Sequence, residues 1–374
     1  MSRLPNVAEF RNPLVKVHRQ QGLGLVLHVI TDTSRRGAQV FATDLCAHLD
    51  ERGKPGLVVA LAKGGAGAQL KVPVLGRGAR DFATLRALRR AMAQATVVVA
   101  HGSSTLLACT IAGIGLPVPL IYRNISDPAY WLHTVRRRAR VRLMLSRVDR
   151  VVALWPGGAD YLVNHLGLDR RRISVIPNSV RMQDFRPPNE SERQLARQRF
   201  GLPDDVPVVL YVAALQPEKH PDTAVRALAR LPRDTYLLML GDGSERRAVA
   251  DLAQRIAPDR VVMAGQIDDP VQGYWAADVI VLPSEGEGLP AVLIEAALCC
   301  LPAVASKSGG NADIVLDGVT GFVVDPADPN QLADGVGRTL AQRMEMGDSA
   351  REHCRLRYDM STVAEQWELA MASV

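Results

Sequence analysis

The sequence predicts an α/β chain of two domains. Short apolar runs of strand type alternate with helical stretches from Gly24 onward, the pattern of a parallel sheet with crossover helices. After Pro187-Pro188 the alternation starts afresh at Val208. The chain has 374 residues, enough for two domains of ordinary size. Hydrophobic residues at 47% and charged residues at 22% place it among globular proteins rather than disordered or fibrous ones.

In chain order, residues 1–23 show no clear periodicity and read as an arm. Gly24–Ile30 is the first strand; Thr31–Gln39 leads into a helix over Val40–Glu51. Gly37 lies between them, where a missing side chain lets backbone approach a phosphate. Leu57–Leu61 is a second strand, and the glycine-rich Lys63–Gln69 a mobile loop. Phe82–Ala95 is helical. Thr96–Ala100 is a strand ending at His101, which places that histidine on the ligand side of a parallel sheet. Pro119–Asn124 is a strand. The helix from Leu132 to Leu145 carries Arg136, Arg137, Arg138, Arg140 and Arg142 around an apolar line of Val135, Ala139 and Leu143. It is either a solvated face or a surface for anionic lipid. Arg150–Leu154 is a strand, Trp155–Leu166 a turn and helix, and the polar run from Pro187 to Arg199 a hinge.

In the second half, strand Val208–Ala213 runs into Ala214–His220 and helix Pro221–Leu231. Tyr236–Leu240 and Val261–Ala264 are strands, the latter followed by Gly265-Gln266-Ile267. Gly241-Asp-Gly is not a dinucleotide fingerprint, because Arg246 stands at the third glycine's place. Strand Val279–Leu282 then meets the most informative stretch, Pro283–Gly310. Ser284–Gly288 turns, Pro290 suits the first turn of a helix, and Leu293, Ala296, Ala297 and Cys300 form its apolar face. Glu287 precedes this helix and Glu295 lies eight residues on, about 12 Å if all eight are helical. Between them the amides of Gly288 and Leu289 sit at the helix N-terminus, a site suited to phosphate. Phosphate donors between two hydroxyl acceptors match a nucleotide sugar. Residues 330–344 and Met360–Ala372 are the last helices.

The motif S-E-G-E-G-L-P-A-V-L-I-E-A-A resembles the E-x7-E segment of retaining GT-B glycosyltransferases of the large family-4 (group 1) type. The likeness spans roughly residues 25–372. It implies a GT-B fold: two facing Rossmann-like domains with a central inter-domain cleft. The expected division is an acceptor-side domain at 1–185, with 358–374 crossing back, and a donor-binding domain at 186–357. By match, Glu295 holds the ribose and Glu287 lies beside the transferred sugar. Ala214–His220 resembles G-R-L-x-x-x-K-G, whose Arg and Lys grip the donor diphosphate; Lys219 matches, while Ala214 replaces the Arg. Arg36–Gln39 resembles the family's G-G-A-E loop, with Arg36 for the first Gly and Gly37 for the second. Arg36 is therefore a candidate compensating cation across the cleft. The resemblance brings His101 to the donor sugar, and Gly265, Gln266 and Ile267 to the base. Ile173–Val180 resembles V-I-P-N-G-V, with Ser179 for Gly, and Ser308–Ile314 resembles G-G-x-x-E-I.

The function so implied is metal-independent hexosyl transfer from a UDP- or GDP-sugar to a glycan, lipid or small-molecule acceptor, in cell-envelope or polysaccharide biosynthesis. No D-x-D calls for a metal, and no cofactor beyond the donor is expected. The alternative from another class is a non-catalytic GT-B partner assisting another transferase, which the missing Arg would favour; an epimerase on this fold would carry signatures not found here. The net charge of +6 suits anionic partners, and no nucleic-acid motif is present. The five cysteines lack metal spacing and read as reduced thiols. The N-terminus lacks a signal-peptide core, and prolines break the longest apolar run, Leu106–Tyr122. The expected location is cytoplasmic, with the arginine helix raising a peripheral site at the inner membrane face.

Overall fold

The computed structural model describes residues 24–374 apart from Ala66 and Asp268; the arm at 1–23 lies outside the described residues. Among the described residues twelve strands form two six-stranded sheets. The first contains β1 (Val26–Asp32), β2 (Gly56–Ala62), β3 (Val97–His101), β4 (Leu120–Asn124), β5 (Arg150–Ala153) and β6 (Ile173–Val175), in the order β2-β1-β3-β4-β5-β6. The second contains β7 (Val208–Val212), β8 (Tyr236–Leu240), β9 (Val261–Gly265), β10 (Val279–Leu282), β11 (Ala303–Ser306) and β12 (Gly321–Val324), in the order β12-β11-β10-β7-β8-β9. The pairing is parallel, and helices connect the strands.

The central strands of the second sheet are apolar because both of their faces are covered. In β7, Val208 and Leu210 enter the core on one face while Val209 and Tyr211 enter the core on the other. β10 divides likewise into Ile280 and Leu282 against Val279 and Val281. Successive side chains point to opposite faces, so a continuous apolar run feeds two cores.

Two compact units result. One comprises the described residues up to Asn124 with Ala139–Val152 and Ala364–Val374; the other comprises Ile125–Arg138 and Ala153–Val363. In the second, Asp278 is buried and takes Arg193 at 2.6 Å, Arg197 at 2.9 Å and Arg343 at 2.9 Å. It also accepts the Val208 amide, tying the starts of β7 and β10 together.

Several boundaries differ from the sequence reading. The expected hinge at 187–199 contains a helix, Glu190–Arg199, closed by a capping box between Asn189 and Glu192. Its composition is polar nearly all round, and only Ala196 and Arg197 are buried, so periodicity could not announce it. Ser103–Ala112 and Arg343–Arg357 are further helices not expected. The glycine-rich loop after β2 is strapped down rather than free. The Gly64 amide donates to Thr33 Oγ1 at 2.8 Å, and the Arg35 and Leu70 amides bond across the two loops. The five cysteines are free thiols.

Candidate functional site

A parallel sheet binds ligands where neighbouring strands send their loops in opposite directions. In the second sheet that point lies between β7 and β10. The loop after β7 carries Lys219 in a single 3-10 turn, Pro217–Lys219, and the loop after β10 carries Glu287. The two meet: Lys219 Nζ lies 2.7 Å from Glu287 Oε1. Both ends are held. The Tyr211 hydroxyl donates to the Lys219 carbonyl at 3.2 Å, and the Glu287 amide donates to Ser308 Oγ at 3.1 Å. The Glu285 amide bonds the Glu218 carbonyl at 3.0 Å, joining the loops a second time. Tyr211 stays a neutral donor, because burial and the nearby Glu287 carboxylate push its hydroxyl far up.

The helix after this loop runs Ala291–Leu298, with Pro290 as its cap rather than in its first turn. Gly288 and Leu289 therefore lie in the loop, and the helix's own leading amides are those of Ala291 and Val292. The carbonyls of Gly288 and Leu289 are taken, by the Gly310 amide and by Asn178 Nδ2. Among the described residues neither amide finds a main-chain acceptor. Glu295 sits on the helix, and Tyr274 donates its hydroxyl to Oε2 at 2.5 Å.

A segment that sequence reasoning misses covers this loop. Within the same unit, the Ile125 carbonyl stands where a side chain on Gly288 would be, and the Tyr130 ring stands against Gly286. Asp127 accepts the amides of Ala129, Tyr130 and Gly309. Burial raises its carboxyl above the ordinary value, and those three amides oppose the rise. Gly309 has φ of +50°, and a Cβ there would collide with the Glu287 carbonyl. The spacing of Gly286 and Gly288 is the available signal: glycines mark close backbone approach.

Gly265 ends β9 with φ of +75°, and its carbonyl receives the Gly241 amide at 2.8 Å. Gln266 and Ile267 line a cavity of about 660 Å³ with Arg199, Phe200, Val262 and Ala264. Its lining mixes apolar side chains with Arg199, Gln266 and Asp269.

The remaining predicted residues belong to the first unit. His101 is only 2% exposed; its Nε2 lies 3.1 Å from His28 Nδ1, and Phe41 and Trp367 flank it. Burial holds both histidines neutral, helped by the Arg123 guanidinium: His28 falls to about 4 and His101 well below its ordinary value. Arg36 caps the helix Gly37–Glu51, its side chain 68% exposed and 3.1 Å from Asp32. Gly37 is the first residue of that helix and is open to solvent.

Family models match both halves of the chain. One described as "Glycosyl transferases group 1" matches residues 192–355, and one described as "Glycosyltransferase Family 4" matches residues 35–184. D-inositol 3-phosphate glycosyltransferase of Xylanimonas cellulosilytica is 37% identical over 220 residues, covering 55% of this chain and 53% of that protein. The protein of the same description from Geodermatophilus obscurus is 34% identical over 240 residues, covering 58% and 51%. The matched stretch thus spans about half the length of these curated relatives. Among solved structures, Anabaena HepE in complex with UDP-glucose superposes with a TM-score of 0.83 at 21% identity, over 94% of this chain and all of that one. Sucrose-phosphate synthase of Thermosynechococcus elongatus gives 0.79 at 22% identity, over 92% and 98%. At these identities the structural likeness speaks for the fold.

Proposed function

We propose, from the premise that this chain belongs to the group 1 glycosyltransferases of GT-B fold, that it moves a hexose from a UDP- or GDP-sugar to an acceptor hydroxyl with retention of anomeric configuration. The observation carrying this reading is the Lys219–Glu287 contact at the switch point of the second sheet, with Glu295 on the helix that follows. Lys219 and the amides of Gly288 and Leu289 meet the charge that grows on the leaving diphosphate. No metal is assigned a part. Glu287 stands beside the transferred sugar and Glu295 takes the ribose hydroxyls. Gln266 and Ile267 border the base. The curated relatives' description suits a polar, hydroxylated acceptor, and a glycan or lipid acceptor in envelope or polysaccharide synthesis agrees with it.

The test is incubation of the purified chain with UDP- and GDP-hexoses, reading slow donor hydrolysis, and the anomer released, by NMR. Release of free sugar with the donor's configuration is expected from one of the donors. No turnover with any donor, despite nucleotide binding, would instead favour the non-catalytic partner that Ala214 makes conceivable.

We assign the arginine helix, Val135–Leu145, to an anionic membrane surface. Arg136, Arg137, Arg140 and Arg142 are exposed, and Val135 and Leu143 are 72% and 71% exposed beside them. Apolar side chains ringed by guanidinium groups suit an interface of lipid headgroups. Among the described residues no helix is long and apolar enough to cross a membrane. Co-sedimentation with anionic vesicles at low salt that fades as salt rises is expected; no binding at low salt would remove the assignment.

A further inference from the structure

We infer that Tyr274 is a positioning residue that sets how strongly the site prefers ribonucleotides over deoxyribonucleotides. The inference rests on the proposed ribose contact of Glu295. Tyr274 lies on the short helix Val271–Ala276, its side chain 1% exposed, with Phe185 edge-on at 6.1 Å. A buried hydroxyl must find a partner, and this one finds Glu295 Oε2 at 2.5 Å. Burial and the carboxylate raise the phenol far above its ordinary value, so the proton stays on tyrosine and the bond runs from hydroxyl to carboxylate.

The last torsion of a glutamate is broad and roughly two-fold, so a carboxylate's plane is set by the groups that bond its oxygens. Fixing Oε2 on a rigid donor fixes the plane, and with it the direction of Oε1. Two ribose hydroxyls present a matching pair of donors only to a carboxylate held in one plane. Removing the phenol hydroxyl leaves the charge and the reach of Glu295 intact but takes away the donor that holds Oε2. The cost therefore falls on recognition of the hydroxyls, not on the phosphates or the base. A tyrosine whose role was packing alone would keep it when replaced by phenylalanine, since the ring and its Phe185 contact remain.

The experiment is calorimetry on the full chain with UDP and 2′-deoxy-UDP, and with GDP and 2′-deoxy-GDP. Wild type, Tyr274→Phe and Glu295→Gln are compared. The wild type is expected to prefer the ribonucleotide by about tenfold, the value of one hydrogen bond to a charged acceptor. Tyr274→Phe should lose most of that preference while deoxynucleotide affinity holds. Retention of the wild-type ratio in Tyr274→Phe, with loss in Glu295→Gln, would overturn the inference and leave the ribose contact standing. An unchanged ratio in Glu295→Gln, or no preference in the wild type, would overturn the ribose contact and the inference with it. If Tyr274→Phe melts far below wild type, 3-fluorotyrosine at position 274 keeps ring and hydroxyl while strengthening the donor. The ratio should then change, and an unchanged ratio overturns the proposal.

Discussion

The two sheets reach the same kind of switch point and treat it in opposite ways. Between β7 and β10, a lysine and a glutamate meet as an ion pair that is still partly open to solvent. Between β1 and β3, the strands contribute His28 and His101, which meet as neutral rings in a buried core. Their outer nitrogens, His28 Nε2 and His101 Nδ1, find no partner among the described residues. One topology thus supports both a charged site and a buried neutral pair. What differs is the residue after the strand: the second unit turns into a solvated polar loop, whereas the first places its histidines within the sheet itself. Position relative to a parallel sheet locates a site; burial decides whether its groups keep their charge.

The comparison breaks first at Lys219. If it is the cation that meets the leaving diphosphate, Lys219→Ala should lower kcat by about 10²–10³, the usual cost of one transition-state donor. Binding of the free diphosphate should fall less. Equal losses in both, measured by steady-state kinetics beside calorimetry, would assign Lys219 to ground-state binding instead.

The histidine pair should show itself in stability. Its folded form holds the rings neutral while the unfolded chain protonates near the ordinary value. Stability is therefore full above about pH 6.5 and drains away as pH falls toward His28's folded value of about 4. For His28 alone the loss amounts to about 2 kcal/mol by pH 5. Urea unfolding at pH 7.5 and pH 5 checks this, and a double His28→Gln, His101→Gln variant should flatten the step. A wild-type midpoint indifferent to pH would erase the contrast between the two switch points.

Glu295→Ala comes next. A hydroxyl pair deprived of a charged acceptor loses about 1.5–3 kcal/mol, so UDP or GDP should bind roughly 10- to 100-fold more weakly. Unchanged affinity by calorimetry would remove the ribose assignment. The smallest effect belongs to Arg36. Its exposed pairing with Asp32 is worth little to stability, within about 0.5 kcal/mol. Arg36→Ala is expected to lower turnover by less than tenfold at an unchanged melting temperature. Wild-type turnover would confine Arg36 to its solvated pair.

Much of this architecture is legible in the amino-acid sequence. The strands over Tyr236–Leu240 and Val279–Leu282 fall where apolar runs between turns require, because such runs have few other fates in a parallel sheet. Glu287, Glu295 and Lys219 stand out because each belongs to a short motif whose chemistry is local. Their meeting does not: 68 residues separate Lys219 from Glu287, and only sheet order brings them together. Tyr274 is invisible as a partner, since an aromatic in a short helix looks like core, and core is what its ring is. The cover formed by Ile125–Tyr130 escapes because its contacts use backbone carbonyl and ring edge against glycines, and no side-chain pattern records that. The Ser103–Ala112 helix escapes because it is apolar nearly all round, which leaves no stripe to detect.

The glycines of the second unit's loop carry a consequence for how such a protein can change over time. Any side chain at Gly288 would run into the Ile125 carbonyl, and any at Gly309 into the Glu287 carbonyl. Neither obstacle is a flexible tip that could swing aside; both are main chain. Mutational drift at these two places is closed in every direction at once. Innovation in this loop must then enter by a neighbouring door, Glu285 at its exposed shoulder. A saturation library over 284–290 should show that shape: a plateau of tolerated substitutions at Glu285, a wall at Gly288, and new donor preferences arising only from the plateau.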